Sequence, residues 1–182
     1  REGRVLSRRY ERTRIRCRRG LSYEEAQDVL DGRGSVAPDI DAALRGLDDF
    51  ARGIRALRTG RGALDLDLPE AKVVLDEEGQ PVDIQRRERL SSHRLIEDYM
   101  VLANEVVAND LEARGVPALY RVHERPAGEK VEELRETLAT FQIDLPRRRA
   151  LKPRDIQRVL ELVRGRPEQG LLQNLILRSL AK

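Results

Sequence analysis

The sequence predicts an α+β fold of several amphipathic helices, one β-hairpin and basic N-terminal strands. Three observations carry this. Apolar residues recur at three- and four-residue intervals over long stretches, as on one face of a helix. Val73-Val74-Leu75 and Val82-Asp83-Ile84 flank the turn sequence Asp76-Glu77-Glu78-Gly79, which reads as a hairpin. The stretch Arg4 to Arg19 alternates loosely, with Ile15 and Cys17 on one face.

The elements follow in order. After the basic strands, Ser22 can cap a helix running to Leu30, with Glu25 three residues on to close a capping box. Asp31 to Gly34 breaks it. Pro38 opens a longer helix through Ile40, Leu44, Leu47, Ala51 and Ile54, ended by Gly60-Arg61-Gly62. Ala63 to Leu68 reads as a strand with Leu64, Leu66 and Leu68 on one face and Asp65 and Asp67 on the other. The hairpin comes next. A long helix from Leu90 ends at Gly115, and Pro117 prevents its resumption. A short strand follows, with Leu119, Arg121 and His123 pointing one way and Tyr120 and Val122 the other. Glu129 to Phe141 is a helix packing through Val131, Leu134 and Leu138, and Leu145 to Arg149 is a basic loop. Arg154 to Arg164 is a helix facing inward through Ile156, Leu160 and Val163. The last helix carries Leu171, Leu172, Leu175, Ile176 and Leu180.

Composition narrows the class. The 182 residues are 40 % apolar and 37 % charged, with only four Tyr and two Phe, so the core is built from Leu, Val and Ala. A single cysteine, Cys17, excludes an internal disulfide and suits a reducing compartment. No run of about 18 apolar residues and no secretory signal is present, so the cytoplasm is the expected location. Charge is uneven. Residues 1–20 hold nine Arg against two Glu, a net of +7, so the remaining 162 residues net −4 of the chain's +3. Such a stretch could track phosphates and make binding salt-dependent. The plainer reading is a solvated edge whose arginines pair with acidic neighbours.

The stretch from Leu90 to Pro126 is the candidate site. Leu95, Tyr99, Leu102 and Val106, with Ile96, Met100, Ala103, Val107 and Leu111, give the helix a wide apolar stripe. Glu97 and Asn104, seven apart, stand above one another on a face that also holds Val101 and Ala108. Polar groups among apolar ones need partners, which makes these two, with Arg121 and His123, site candidates. Asp65 and Asp67 fit the wet face of a strand better than a metal site. Two histidines and one cysteine do not make the usual structural zinc site.

LIEDYMVLAN (Leu95 to Asn104), followed by YRVHERP (Tyr120 to Pro126), resembles the RNB catalytic domain of the ribonuclease II / ribonuclease R family of 3′→5′ exoribonucleases. RCRRGLSYEEAQDVL (Arg16 to Leu30), RGALDLDLPEAKVVLDEEG (Arg61 to Gly79) and LLQNLILRSLAK (Leu171 to Lys182) resemble further segments of that domain in the same order, and the likeness is greater to ribonuclease R than to ribonuclease II. The resemblance implies hydrolysis of RNA from its 3′ end with magnesium as cofactor. The family's Asp-rich magnesium motif, its serine-proline-arginine segment and its stacking aromatics are not in this sequence. Residues 1–182 are therefore expected to be one domain, the middle-to-late part of the catalytic domain truncated at both ends. The fragment is expected to be inactive by itself and prone to self-association through cut surfaces. The resemblance places Glu97 near the 3′-terminal nucleotide, with Asn104, Arg121 and His123 in support and Arg121 either contacting phosphate or holding Glu97. A non-catalytic, RNA-binding or regulatory relative is the alternative, and a helical interaction protein that touches no nucleic acid a third.

Overall fold

The computed structural model describes residues 5–66, 70–122, 126–147 and 151–180. Six helices and a two-stranded antiparallel sheet occur in the order α1 (Tyr23–Leu30), α2 (Pro38–Arg61), β1 (Glu70–Leu75), β2 (Pro81–Arg87), α3 (Ser91–Ala113), α4 (Gly128–Thr140), α5 (Pro153–Val163) and α6 (Gln169–Leu180). The α+β class is as the sequence predicts. The chain divides into two compact units: Arg1–Leu57 with Arg89–Leu119, and Arg58–Glu88 with Tyr120–Lys182.

In the first unit, α1 begins with the expected capping box. Ser22 Oγ accepts from the Glu25 N–H at 3.1 Å, and Glu25 Oε2 accepts from the Ser22 N–H at 2.7 Å. This satisfies two of the donors that a helix start leaves open. α1 packs on α3. Ser92 Oγ donates to the Tyr23 carbonyl at 2.8 Å, Gln27 Oε1 accepts from the Ser92 N–H, and the rings of Tyr23 and His93 lie 4.2 Å apart. Arg45 of α2 donates to the carbonyls of Val29 and Leu30, which closes the free end of α1. The Tyr99 hydroxyl of α3 donates to the Leu47 carbonyl of α2 at 3.2 Å, and its partial burial pushes the phenol pKa up.

In the second unit one apolar cluster dominates. Leu134 and Leu138 of α4, Ile143, Leu145, Ile156, Val159, Leu160 and Val163 of α5, and Leu172 and Ile176 of α6 are all buried, and Leu64 and Leu66 pack against them. α4 and α5 both lean on α6. The last turn of α2 belongs here, where Arg154 donates to the Gly60 carbonyl and Gln157 to the Thr59 carbonyl, at 3.0 and 3.1 Å. Gly62 ends the helix at φ +102°, and a Cβ there would stand 3.2 Å from Pro153 Cβ, so both conformation and space call for glycine. In the hairpin, Val73 pairs with Ile84, and Asp76 Oδ1 accepts from the Glu78 and Gln80 amides.

Three expectations need correction. No strand forms among the described residues of Arg4 to Arg19, which run exposed and unladdered. Residues 63–66 and 119–122 likewise form no strand. Alternation gives a strand its sides, but a strand also needs a neighbour for its N–H and C=O groups. Among the described residues the sheet holds β1 and β2, and these stretches do not join it. The sidedness survives at Leu64 and Leu66, which face the core while Asp65 is exposed. Leu145 lies in the expected loop, yet its side chain is core and its carbonyl accepts from Arg135 Nε of α4. Asp67, Leu68, Arg148 and Arg149 lie outside the described residues.

Candidate nucleic-acid interface

α3 positions the first two site candidates. Leu95 is buried, and Tyr99, Leu102 and Val106 are half-buried, so this side of the stripe packs as expected. The other side does not. Ile96, Met100 and Val107 are 49 %, 55 % and 42 % exposed, and Glu97 and Asn104 share that open side. The two site candidates are thus accessible groups and not polar groups inside a packed sector. Arg89 Nη2 donates to Glu97 Oε2 at 2.9 Å. The residue that holds Glu97 is therefore Arg89, one residue before the helix's extended lead-in. Arg121 is exposed and belongs to the second unit. His123 lies outside the described residues.

The acidic groups that are buried on α3 are Asp98 and Asp110, which spacing had not singled out. Asp98 Oδ2 accepts from Arg55 Nε of α2 at 2.8 Å; Arg55 Nη2 lies 2.6 Å from the same oxygen but off the hydrogen-bond direction. Asp110 is held by Arg8 at 2.6 to 2.7 Å and by Arg114 Nε at 3.0 Å. The hydrogen bond from Arg8, aided by Arg114, keeps the Asp110 carboxyl below its usual pKa. A signal for both was present. Leu95, Asp98 and Leu102 run at i, i+3 and i+7, and Val106 to Asp110 continues the same side. On α2, Leu44, Asp48, Ala51 and Arg55 do likewise. Opposite charges inside the apolar stripes of two helices are candidates to pair.

The basic N-terminal segment resolves into two kinds of arginine. Arg8 pairs with Asp110, Arg9 with Glu11, Arg18 with Asp39 and Arg19 with Glu25. Arg12, Arg14 and Arg16 are exposed and make no ion pair or hydrogen bond among the described residues. Cys17 is exposed. Among the described residues no group of three or more His, Cys, Asp or Glu could hold a metal ion, and no helix is long and apolar enough to cross a membrane.

Against this geometry the sequence matches the RNB domain family over residues 1–182. The chain belongs to the RNB domain family. An RNB-family relative from Aquifex aeolicus, named ribonuclease R, is 40 % identical over 171 residues, 92 % of this chain and 24 % of the relative. A ribonuclease R from Thermotoga maritima is 33 % identical over 186 residues, 100 % of this chain and 26 % of the relative. Mycoplasma genitalium RNase R, solved in complex with ribose-methylated single-stranded RNA, has a similar fold with a TM-score of 0.83. It is 29 % identical and covers 89 % of this chain and 26 % of that one. The same enzyme with double-stranded RNA gives a TM-score of 0.82. This RNB chain spans about a quarter of the length of the curated relatives it matches.

Proposed function

We propose that the chain is part of the catalytic domain of a magnesium-dependent 3′→5′ exoribonuclease of the ribonuclease R type, with RNA as substrate. The match to the RNB family over the whole chain is the observation that carries the reading, and the likeness to an RNase R solved with single-stranded RNA supports it. The donor set among the described residues does not fit a magnesium site. The family's Asp-rich magnesium motif is not in this sequence, so the hydrolytic step is proposed to belong to residues outside it and the chain alone to be inactive. Its own contribution is placement of the RNA.

Glu97 is the residue proposed to do this. Its carboxylate is accessible, Arg89 occupies Oε2, and Oε1 is left to accept a hydrogen bond. A ribose 2′-OH is a donor that DNA lacks, so a carboxylate accepting from it favours RNA. Asn104 lies about 10 Å further along the same helix at 1.5 Å per residue, which suits a neighbouring nucleotide. Arg121 and His123 are proposed, from the family resemblance alone, to have a supporting role in RNA binding. In the complete protein, Glu97→Ala should slow RNA degradation about tenfold or more, since a hydrogen bond to a charged group is worth roughly 1.5–3 kcal/mol. Folding should be nearly unchanged, because Glu97 is exposed. An unchanged rate would remove Glu97 from the site.

A further inference from the structure

We infer that Arg12, Arg14 and Arg16 form a phosphate-binding rail for a single strand of RNA. The inference rests on the RNA reading above and adds residues that the reading does not need. Ion pairs anchor the segment near both ends. Arg8 ties its start to Asp110 of α3, and Arg18 and Arg19 tie its end to Asp39 of α2 and Glu25 of α1. Between those ties, Arg9 to Cys17 contains no helix, turn or bend.

The three central arginines are exposed and have no partner among the described residues, while the arginines beside the ties are all paired. Guanidinium groups fork onto phosphate oxygens, and three of them at alternate positions within five residues suit neighbouring phosphates of one strand. Contacts near both ends lower the ordering cost that a free basic arm would meet on binding.

The test is binding of fluorescent single-stranded RNA by the complete protein, in chelator to stop cleavage, across a salt series. Each phosphate contact on a single strand contributes about 0.7 to the slope of log affinity against log salt. The triple variant R12Q/R14Q/R16Q should therefore lower the slope by about 2 and weaken binding at low salt at least tenfold. A DNA strand of the same sequence should lose affinity equally, because phosphates carry no sugar identity. Arg9→Gln, at a locally paired residue, should change the slope by well under 1. A folded triple variant with an unchanged slope, or one that loses RNA but not DNA affinity, overturns the rail. If that variant is unchanged while the parent degrades RNA, the rail alone fails. If the parent neither binds nor degrades RNA, the functional reading fails with it.

Discussion

The unit formed by Arg58–Glu88 and Tyr120–Lys182 is held by an apolar cluster, whereas the unit formed by Arg1–Leu57 and Arg89–Leu119 buries charge. In the first-named unit ten aliphatic side chains are buried together. In the other, the buried residues are Val29, Ala51, Ile54 and Leu95 beside Asp48, Ser92, Asp98 and Asp110. The apolar cluster is indifferent to pH, and its stability follows area and packing. The charged unit depends on each carboxylate keeping its arginine, because a buried charge that loses its partner is costly. The candidate residues Glu97 and Asn104 and the arginine rail sit on this charged unit.

The largest effect expected is Leu138→Ala. Leu138 is fully buried, so truncation should cost about 4 kcal/mol through lost burial and a cavity. Segment-resolved hydrogen exchange should show the loss in α4 to α6, and a loss of similar size in α1 to α3 would break the contrast. Asp98→Ala should come next, at about 3 kcal/mol, with protection lost in α2 and α3, because Arg55 would stay largely buried without its carboxylate. A near-neutral result would mean that water reaches Arg55 and that this unit is not held by charge.

Acid should separate the units with a smaller effect. The folded pKa of Asp110 is lowered below its ordinary value of 3.8, so its contribution is complete above that value and is lost as the pH falls through the folded one. Asp110→Asn should flatten the acid limb of the unfolding profile of α3 below about pH 4 and leave that of α4 to α6 unchanged. An acid limb that keeps its shape in the variant would assign it to other groups.

Much of this was legible in the sequence. The α1 cap follows from Ser22 and Glu25, the hairpin from its turn, and α5 from Ile156, Leu160 and Val163 at helical spacing. The helix stop at Gly115 holds, with φ +64°. Less legible was which part of an apolar stripe is covered. Spacing gives α3 nine apolar positions, but only the neighbours of Leu95 and Tyr99 decide which side packs, and those neighbours come from α1 and α2. The same limit hid Asp98, because a charge within a stripe is visible in the sequence but its partner on another helix is not. The basic segment misled for a related reason, since strand-like alternation does not provide a strand to pair with.

The most direct measurement is magnesium-dependent degradation of 5′-labelled single-stranded RNA by this chain and by the complete protein that carries it, side by side. The complete protein should shorten the RNA stepwise from its 3′ end, and the chain alone should leave it intact. Degradation by the chain alone would contradict the account and place a metal site within residues 1–182. No degradation by either would favour a non-catalytic RNA-binding relative.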